Sequence, residues 1–184
     1  MRKVFLIAGL MTAFVVAVVA SSAAANFAGT WTLDKTKSQG LSPRMAGADK
    51  VTWTITQDAA TISIDQKVEG GQPPAGGGGG TGGGGGMGGG RPPAAPPVYK
   101  LDGSEVTSDL NFGQATGKQT LKATWAGAAL ELSRKTSFTG QDGTERVSTT
   151  TQKLSLSGDG KVLTAAVHSE GGRAPSDSTL VFNK

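Results

Sequence analysis

The 184-residue sequence contains no cysteine and only one histidine, His168. The absence of cysteine excludes disulfides, thiolate nucleophiles and cysteine-ligated metals, and a single histidine excludes any site that needs two. Aromatic residues form 5% of the chain and charged residues 17%, while serine, threonine and glycine are abundant. This composition is suited to β structure with many turns.

Recognisable catalytic groups are also missing. His168 lies on the polar side of its alternating segment with only sequence neighbours as partners, so no catalytic triad is indicated. Segment 113–120 resembles a phosphate-binding loop, but Gln119 follows Lys118 where serine or threonine is needed. The carboxylates are scattered singly, which leaves no paired acid and base and no calcium loop. We therefore expect no enzymatic activity, no cofactor and no metal site.

The first 25 residues have the pattern of a secretory signal peptide. Arg2 and Lys3 precede an apolar run over Val4–Ala20, and Ala23–Ala25 supplies the small residues that signal peptidase requires before its cut. We expect cleavage after Ala25, export to the periplasm or extracellular space of a bacterium, and no membrane span in the mature chain. The alternative is an uncleaved anchor, but an apolar run of 17 residues is short for a span.

Removal of this segment also changes the charge. The full chain has 18 basic and 14 acidic side chains, a net charge of +4, and the signal peptide contains two of the basic residues. The mature chain then carries about +2, which is too little to indicate a nucleic-acid partner. We expect no nucleic acid as a partner, and the sequence carries no signal for an oligomeric state.

Residues 69–97 hold 15 of the 29 glycines and 6 of the 8 prolines. Such a segment has almost no apolar side chain to bury and much backbone entropy to lose, so we expect a disordered insert. Residues 26–68 before it are too few to hold a core of their own without disulfides or metal. We therefore predict a single domain over residues 26–184, interrupted by a flexible loop over residues 69–97.

Outside the insert, apolar and polar residues alternate with a period of two, which is typical of half-buried strands. About ten such segments, separated by turn residues, predict an all-β antiparallel up-and-down meander. Because no predicted helix covers the apolar faces, we expect the sheet to close into a barrel, with an open β-sandwich as the alternative. Only Lys37–Asp49 offers a helical turn. In Glu145–Leu156 the apolar residues change face between Val147 and Leu154, which predicts a bulge or bend.

The segment Phe27–Leu33 reads F-A-G-T-W-T-L and resembles the F-x-G-x-W-x-L opening strand of the calycins, the group of lipocalins and fatty-acid-binding proteins. The longer form G-T-W-x-L-D-x-x-K-S is similar to that of secreted bacterial lipocalin-like proteins. The resemblance implies a lipocalin-like barrel in which Gly29 permits a close approach, Trp31 plugs one end, and the interior holds an apolar ligand. Lipocalins stack an arginine from the final strand on this tryptophan, and here the end of that strand offers only Lys184.

Some polar residues share strand faces with apolar neighbours and so point toward the predicted interior: Gln66, Ser108, Gln119 and Arg134. A polar group inside a barrel costs free energy unless it is paired or hydrated, so this set indicates a wet cavity with Arg134 as an anion anchor. Trp53 and Trp125 are candidate walls of that cavity. The alternative is that Arg134 lies near a barrel mouth and extends to water, or that the register differs by one residue.

These features favour a secreted, non-enzymatic, lipocalin-like barrel whose expected partner is a small apolar or amphipathic ligand. The rival hypothesis is a structural or protein-interaction module of the cell envelope with a packed, ligand-free interior. A lumen lined by Arg134 would favour the first hypothesis. A lumen filled by Trp53, Trp125 and Phe112 would favour the second.

Overall fold

The structure is a computed structural model that describes residues 24–70, 95–112, 115–140, 143–171 and 175–184. Most of the predicted signal peptide, residues 1–23, lies outside the described residues, as does the greater part of the predicted insert, residues 71–94. The fold is therefore built from the segments on either side of that insert.

Nearly all of the described chain forms antiparallel strands. The elements in chain order are β1 Gly29–Leu33, α1 Pro43–Gly47, β2 Lys50–Gln57, β3 Thr61–Glu69, β4 Val98–Lys100, β5 Val106–Phe112, β6 Ala115–Ala126, β7 Ala129–Thr139, β8 Glu145–Leu156, β9 Val162–Glu170 and β10 Ser176–Asn183. The predicted all-β antiparallel meander of ten strands is confirmed. The single helical turn falls inside the segment where it was expected, with Ser42 as its N-cap.

The ten strands form one sheet in the order β4-β3-β2-β1-β10-β9-β8-β7-β6-β5. Pairing of the first and last strands, with Leu33 opposite Phe182, bends the sheet round so that β4 lies against β6. The result is a nearly closed barrel, consistent with the lipocalin-like shape, and not two packed sheets. Among the described residues, β4 and β5 are the two sheet edges and do not pair with each other.

The bulge predicted in β8 is wrong. The strand keeps one continuous register with β7, from Thr139 opposite Glu145 to Leu130 opposite Leu154. The apolar residues change face because Val147 lies on the outer surface, where it is 39% exposed. An exposed valine on the outer face of a strand does not require a bulge, since single exposed apolar side chains are common on protein surfaces.

Most of the buried side chains lie toward one end of the barrel, which we call the base, while Ala48 and Val51 are buried at the opposite end, beside the connection from β1 to β2. The base carries residues 24–28, the turns at 58–60, 127–128 and 157–161, and the C-terminus, because successive connections of a meander alternate between its two ends. Its buried residues are all hydrophobic: Phe27, Trp31, Leu33, Trp53, Ile55, Ile62, Leu130, Leu132, Leu154, Leu163, Leu180 and Phe182. The opposite end is called the upper end below.

The segment before β1 closes the base. The backbone N–H of Phe27 donates to Gln57 Oε1 at 2.8 Å, and the Trp31 indole Nε1 donates to the Phe27 carbonyl at 2.9 Å. The Phe27 ring stacks on Trp125 with 6.2 Å between centroids. Trp31 is fully buried at this end of the barrel.

The position of Lys184 explains why the first residue of the G-x-W motif is a glycine. Gly29 has φ +139°, and a Cβ there would lie 3.0 Å from Lys184 Cε. That approach places the Lys184 ammonium over the Trp31 ring, 5.1 Å from its centroid. The lysine thus covers the indole, and the pair is a cation–π contact.

The continuation of the motif, D-x-x-K-S, joins β1 to β10. Asp34 Oδ1 accepts from the Thr36 hydroxyl at 2.6 Å, and Asp34 Oδ2 accepts from Asn183 Nδ2 at 3.2 Å. Ser38 Oγ accepts from the Val181 N–H at 2.9 Å. The hydrogen bonds from Thr36 above all, and then those from Asn183 and Lys37, hold the pKa of Asp34 well below its usual range. The motif is therefore structural along its whole length.

Candidate functional site

The strand register arranges the side chains of the inner face in cross-strand rows, and these rows differ in polarity and burial. Near the base, one row runs through Leu180, Ala165, Leu154 and Leu130, and all four are fully or almost fully buried. Further toward the upper end the same strands carry hydroxyl and carboxamide side chains on the same face. The change occurs within two residues on β8 and β10 and within four residues on β7 and β9.

Three rows form the upper part of the inner face, and we call their polar side chains the polar interior. The lowest row contains Ser178 and Gln152, with Val167 between them and Leu132 on the other side of Gln152. The middle row contains Ser176, Ser169, Thr150 and Arg134 and continues into the apolar Leu121 and Val106. The highest row contains Ser148, Thr136, Gln119 and Ser108.

The polar interior is open to solvent. Gln119, Thr136, Gln152 and Arg134 make no side-chain hydrogen bond within the described part of the chain, yet no described side-chain nitrogen or oxygen is both buried and unpartnered. Their polar atoms are therefore reached by water. Only Thr150 and Ser169 pair with each other, with 3.3 Å between their hydroxyl oxygens.

Arg134 stands at the centre of this region. On β7 it follows the buried Leu132 by two residues, and its cross-strand neighbours are Leu121 and Thr150. The next residue, Lys135, is exposed on the outer face. Arg134 thus lies on the inner face, as its parity in the sequence suggested, and forms no ion pair with any carboxylate of the described residues.

Tyr99 pairs with Ile62 near the base and lies within electrostatic range of Arg134. Tyr99 on β4 is only 5% exposed, and its burial raises the pKa of the phenol while the nearby Arg134 charge lowers it. The hydroxyl has no hydrogen-bond partner among the described residues and is not enclosed, so it is open to solvent.

The other predicted site residues are distributed over three places. Gln119 belongs to the polar interior, one row above Arg134. Trp53 is 2% exposed, packs against Phe182 at 4.3 Å, and donates its indole N–H to Gln66 Oε1 at 2.9 Å. It presents almost no surface to a ligand, and Gln66 is engaged in holding it.

Trp125 lies at the base, away from the polar interior. It is partly exposed and borders an open cleft of about 740 Å³ on the outside of the base, together with Asp58 and Asp102. Of the residues proposed from sequence, Arg134, Gln119 and Ser108 are brought together, while the two tryptophans are not. The side chain of Phe112 lies outside the described part of the structure.

Sequence reasoning missed Tyr99 and the hydroxyl groups of β8 to β10. Tyr99 stands on a three-residue strand with no alternation to read. Gln152, Thr150 and Ser148 follow the parity of Leu154 directly, but the assumed bulge in β8 would have turned them outward. A strict period of two would have found them.

His168 lies on the outer face, as expected, and is held between two carboxylates. Its Nδ1 is 2.6 Å from Asp177 Oδ1 and its Nε2 is 3.0 Å from Glu170 Oε1. The hydrogen bond to Asp177, followed by that to Glu170, raises the pKa of the imidazole above 6.5. Because both ring nitrogens are occupied by carboxylates, the arrangement leaves no nitrogen to activate a nucleophile.

Within the described ranges, no three side chains of the metal-ligating types come together. No helix among these residues has the length and apolar character required to cross a membrane. Comparisons with protein-family models, with curated proteins and with solved structures found no match to this chain.

Proposed function

We propose that the protein is an exported, non-enzymatic, lipocalin-like barrel that binds a small amphipathic ligand in its upper interior. In this proposal the anionic group of the ligand lies at Arg134. The observation that carries the proposal is a guanidinium on the inner face, open to solvent and without an ion-pair partner among the described residues. Two apolar side chains, Leu132 one row below it and Leu121 directly beside it, offer a surface for the apolar part of a ligand.

The electrostatics favour an anion at this position. A cation partly removed from water gains more from an opposite charge than it does on an open surface, because the effective dielectric constant is lower. Arg134 also presents several N–H donors in a planar arrangement that suits carboxylate, sulfate and phosphate groups. The Tyr99 hydroxyl, which lies within electrostatic range of Arg134, is a further candidate donor.

Export is supported by the pattern of residues 1–25 and by where the fold begins. Phe27 is the first buried side chain of the described residues and follows the expected cut by two positions. A chain that starts at Asn26 therefore keeps every strand of the barrel and loses only the contacts of the preceding residues, which include the packing of Ala25 against the core and the hydrogen bond from Gln57 Nε2 to its carbonyl.

The proposal is tested with two fluorescent probes that differ only in charge: 8-anilinonaphthalene-1-sulfonate and the neutral N-phenyl-1-naphthylamine. Arg134→Gln is compared with Lys135→Gln, which removes the same charge from the outer face of the same strand. We expect Arg134→Gln to weaken binding of the sulfonate about tenfold or more, since a charged hydrogen bond contributes about 1.5–3 kcal/mol. Lys135→Gln and the neutral probe should show no such loss.

The rival function is a structural or interaction module of the cell envelope with a ligand-free interior. It draws support from the packed base, where Trp53 fills space that a larger cavity would need. Absence of binding of either probe to the wild-type protein would favour this rival and contradict the proposal.

A further inference from the structure

The open cleft on the outside of the base, which we call the base cleft, lies beside the expected processing point of the chain. It has a volume of about 740 Å³, and its lining includes Ala24 and Asn26, on either side of the residue after which we expect cleavage. The turn between β2 and β3 and the segment after β4 complete the lining. The residues next to the expected cut therefore border a cavity of the folded protein.

The segment that follows the cut is fixed in the base. The Phe27 ring is fully buried and stacks on Trp125, and the Phe27 N–H donates to Gln57 Oε1 at 2.8 Å. The Ala28 N–H donates to Asn26 Oδ1 at 3.0 Å. Because none of these contacts involves a residue before Asn26, all of them remain in a processed chain. The first nitrogen of that chain is therefore held at the base cleft.

The pairing of β1 with β2 brings this nitrogen to a carboxylate. The antiparallel alignment of the two strands continues to the hydrogen bond between the Phe27 N–H and Gln57. One residue further along each segment, Asn26 lies alongside Asp58, and both side chains line the base cleft. An amino group on Asn26 thus has Asp58 as its neighbour.

The charged side chains of the described lining are Asp58, Asp102 and Lys100. The backbone N–H groups that follow Asp58 in its turn hold its pKa below the usual range, and the serine hydroxyl two residues after Asp102 does the same for that carboxyl. Neither carboxylate forms an ion pair with a described side chain. The ammonium of Lys184 lies over the Trp31 ring and is not part of the lining. The lining therefore has one negative charge in excess at neutral pH.

We propose that the base cleft is the binding site of the protein's own processed amino terminus, with the α-ammonium of Asn26 beside the carboxylates of Asp58 and Asp102. The inference rests on the export and cleavage in the proposed function. Hydrolysis of the Ala25–Asn26 peptide bond by signal peptidase adds the OH of water to the Ala25 carbonyl carbon and its hydrogen to the Asn26 nitrogen. This amine takes up one further proton at neutral pH, whereas the precursor has an uncharged amide there.

The new charge compensates for what cleavage removes. Loss of Ala25 breaks its carbonyl's hydrogen bond with Gln57 Nε2, and the ammonium replaces it with an ion pair to the same turn region. Asn26 is half-buried, so this pair is stronger than one on an open surface. The contact also fixes the segment that carries Phe27. Because it exists only after cleavage, it stabilises the base in the exported chain and not in the precursor.

The test measures the pKa of the α-amino group in the full-length exported protein, purified from the periplasm of a bacterial host. The mass of the protein first establishes that the chain begins at Asn26. A pH titration of the Asn26 NMR signals then gives the pKa. We expect a value about half a unit above the range of about 7.7–8.0 that is ordinary for α-amino groups.

Matched variants locate the contact. Asp58→Asn keeps an acceptor oxygen for the turn and should return the pKa of the α-amino group to its ordinary range, and Asp102→Asn should lower it by a smaller amount. Asp109→Asn removes the same charge from an exposed position on β5 outside the lining and should have no effect.

A chain that begins at Ala24 provides a control of stability, because its ammonium is displaced from Asn26 by two residues. A pKa raised in the folded state means that the contact stabilises the protein below about pH 7.7 and loses this effect as the pH rises through the folded value. Urea denaturation should therefore show a larger loss of stability between about pH 7 and about pH 9.5 in the Asn26 chain than in the Ala24 chain. Equal losses would contradict the contact.

The outcomes distinguish this inference from the proposed function. An α-amino pKa in the ordinary range, or one that neither Asp58→Asn nor Asp102→Asn changes, would overturn the inference and leave the proposed ligand binding standing. A mature chain that begins at a residue other than Asn26 would do the same, and an uncleaved chain would also contradict export. Failure of the fluorescent probes to bind would contradict the proposed function without altering the α-amino pKa.

Discussion

The base and the upper interior of this barrel are built from the same strands but have opposite contents. On β7, Leu130 and Leu132 are buried among other hydrophobic side chains, whereas Arg134 and Thr136 on the same face are open to water. The backbone pairing does not change between the two regions. The register of a barrel therefore does not depend on an apolar inner face over its full height.

The difference separates stability from ligand chemistry. Burial of a large hydrophobic side chain contributes about 1.5–3 kcal/mol, and the base contains a dozen such residues. Hydrated polar side chains contribute little, because their bonds to water are not exchanged for better ones. The base thus supplies most of the stability, which leaves the upper interior free to serve the binding function proposed above.

The largest expected effect comes from matched truncations on β7. Leu132→Ala should lower the free energy of unfolding by about 2–5 kcal/mol, because it leaves a cavity in the packed base. Thr136→Ala, four residues away on the same face, should change it by no more than about 0.5 kcal/mol. Urea denaturation of both variants measures the contrast, and equal losses would mean that the two regions do not differ as described.

A smaller effect is expected at the base from Gly29→Ala. A side chain at φ +139° is strained and meets Lys184, so we expect a loss of about 1–3 kcal/mol in the free energy of unfolding. Lys184→Ala is the control, since it removes only the contact over Trp31, for which about 0.5–1 kcal/mol is expected. If Gly29→Ala costs no more than Lys184→Ala, the backbone conformation at Gly29 is not a source of strain.

The smallest effect concerns the outer face of the upper half, where His168 links β9 to β10. Its raised folded-state pKa means that the contact stabilises the protein below pH 6.5 and loses this effect as the pH rises through the folded value. The only histidine gives a single set of imidazole NMR signals, so its pKa is read directly. We expect a value above 6.5 that falls in Asp177→Asn. An unshifted value in the wild-type protein would contradict the contact.

The fold was predictable from sequence because its signals are local. Alternation with a period of two, turn residues between segments and the G-T-W motif together indicate a ten-stranded barrel. The inward position of Arg134 and Gln119 follows from the same alternation. These predictions concern only which face of the sheet a side chain lies on, and a regular strand keeps that alternation along its whole length.

What the sequence did not predict depends on tertiary placement. The parity change at Val147 was interpreted as a bulge, because a local pattern does not distinguish an exposed valine from a displaced one. Trp53 and Trp125 were grouped with Arg134 because all are inward candidates. Their depth along the barrel, which places one in the packed core and one at the base, is set by strand register and by closure of β1 on β10.

The most direct test of the divided interior is the alkaline titration of Tyr99, which is the only tyrosine in the chain. The phenolate absorbance reports its pKa in the wild-type protein, in Arg134→Gln and in Lys135→Gln. We predict a pKa above 10.0 that rises further in Arg134→Gln, because the nearby positive charge is lost, and that does not change in Lys135→Gln. A pKa unaffected by Arg134→Gln, or shifted instead by Lys135→Gln, would contradict the placement of Arg134 in the barrel interior.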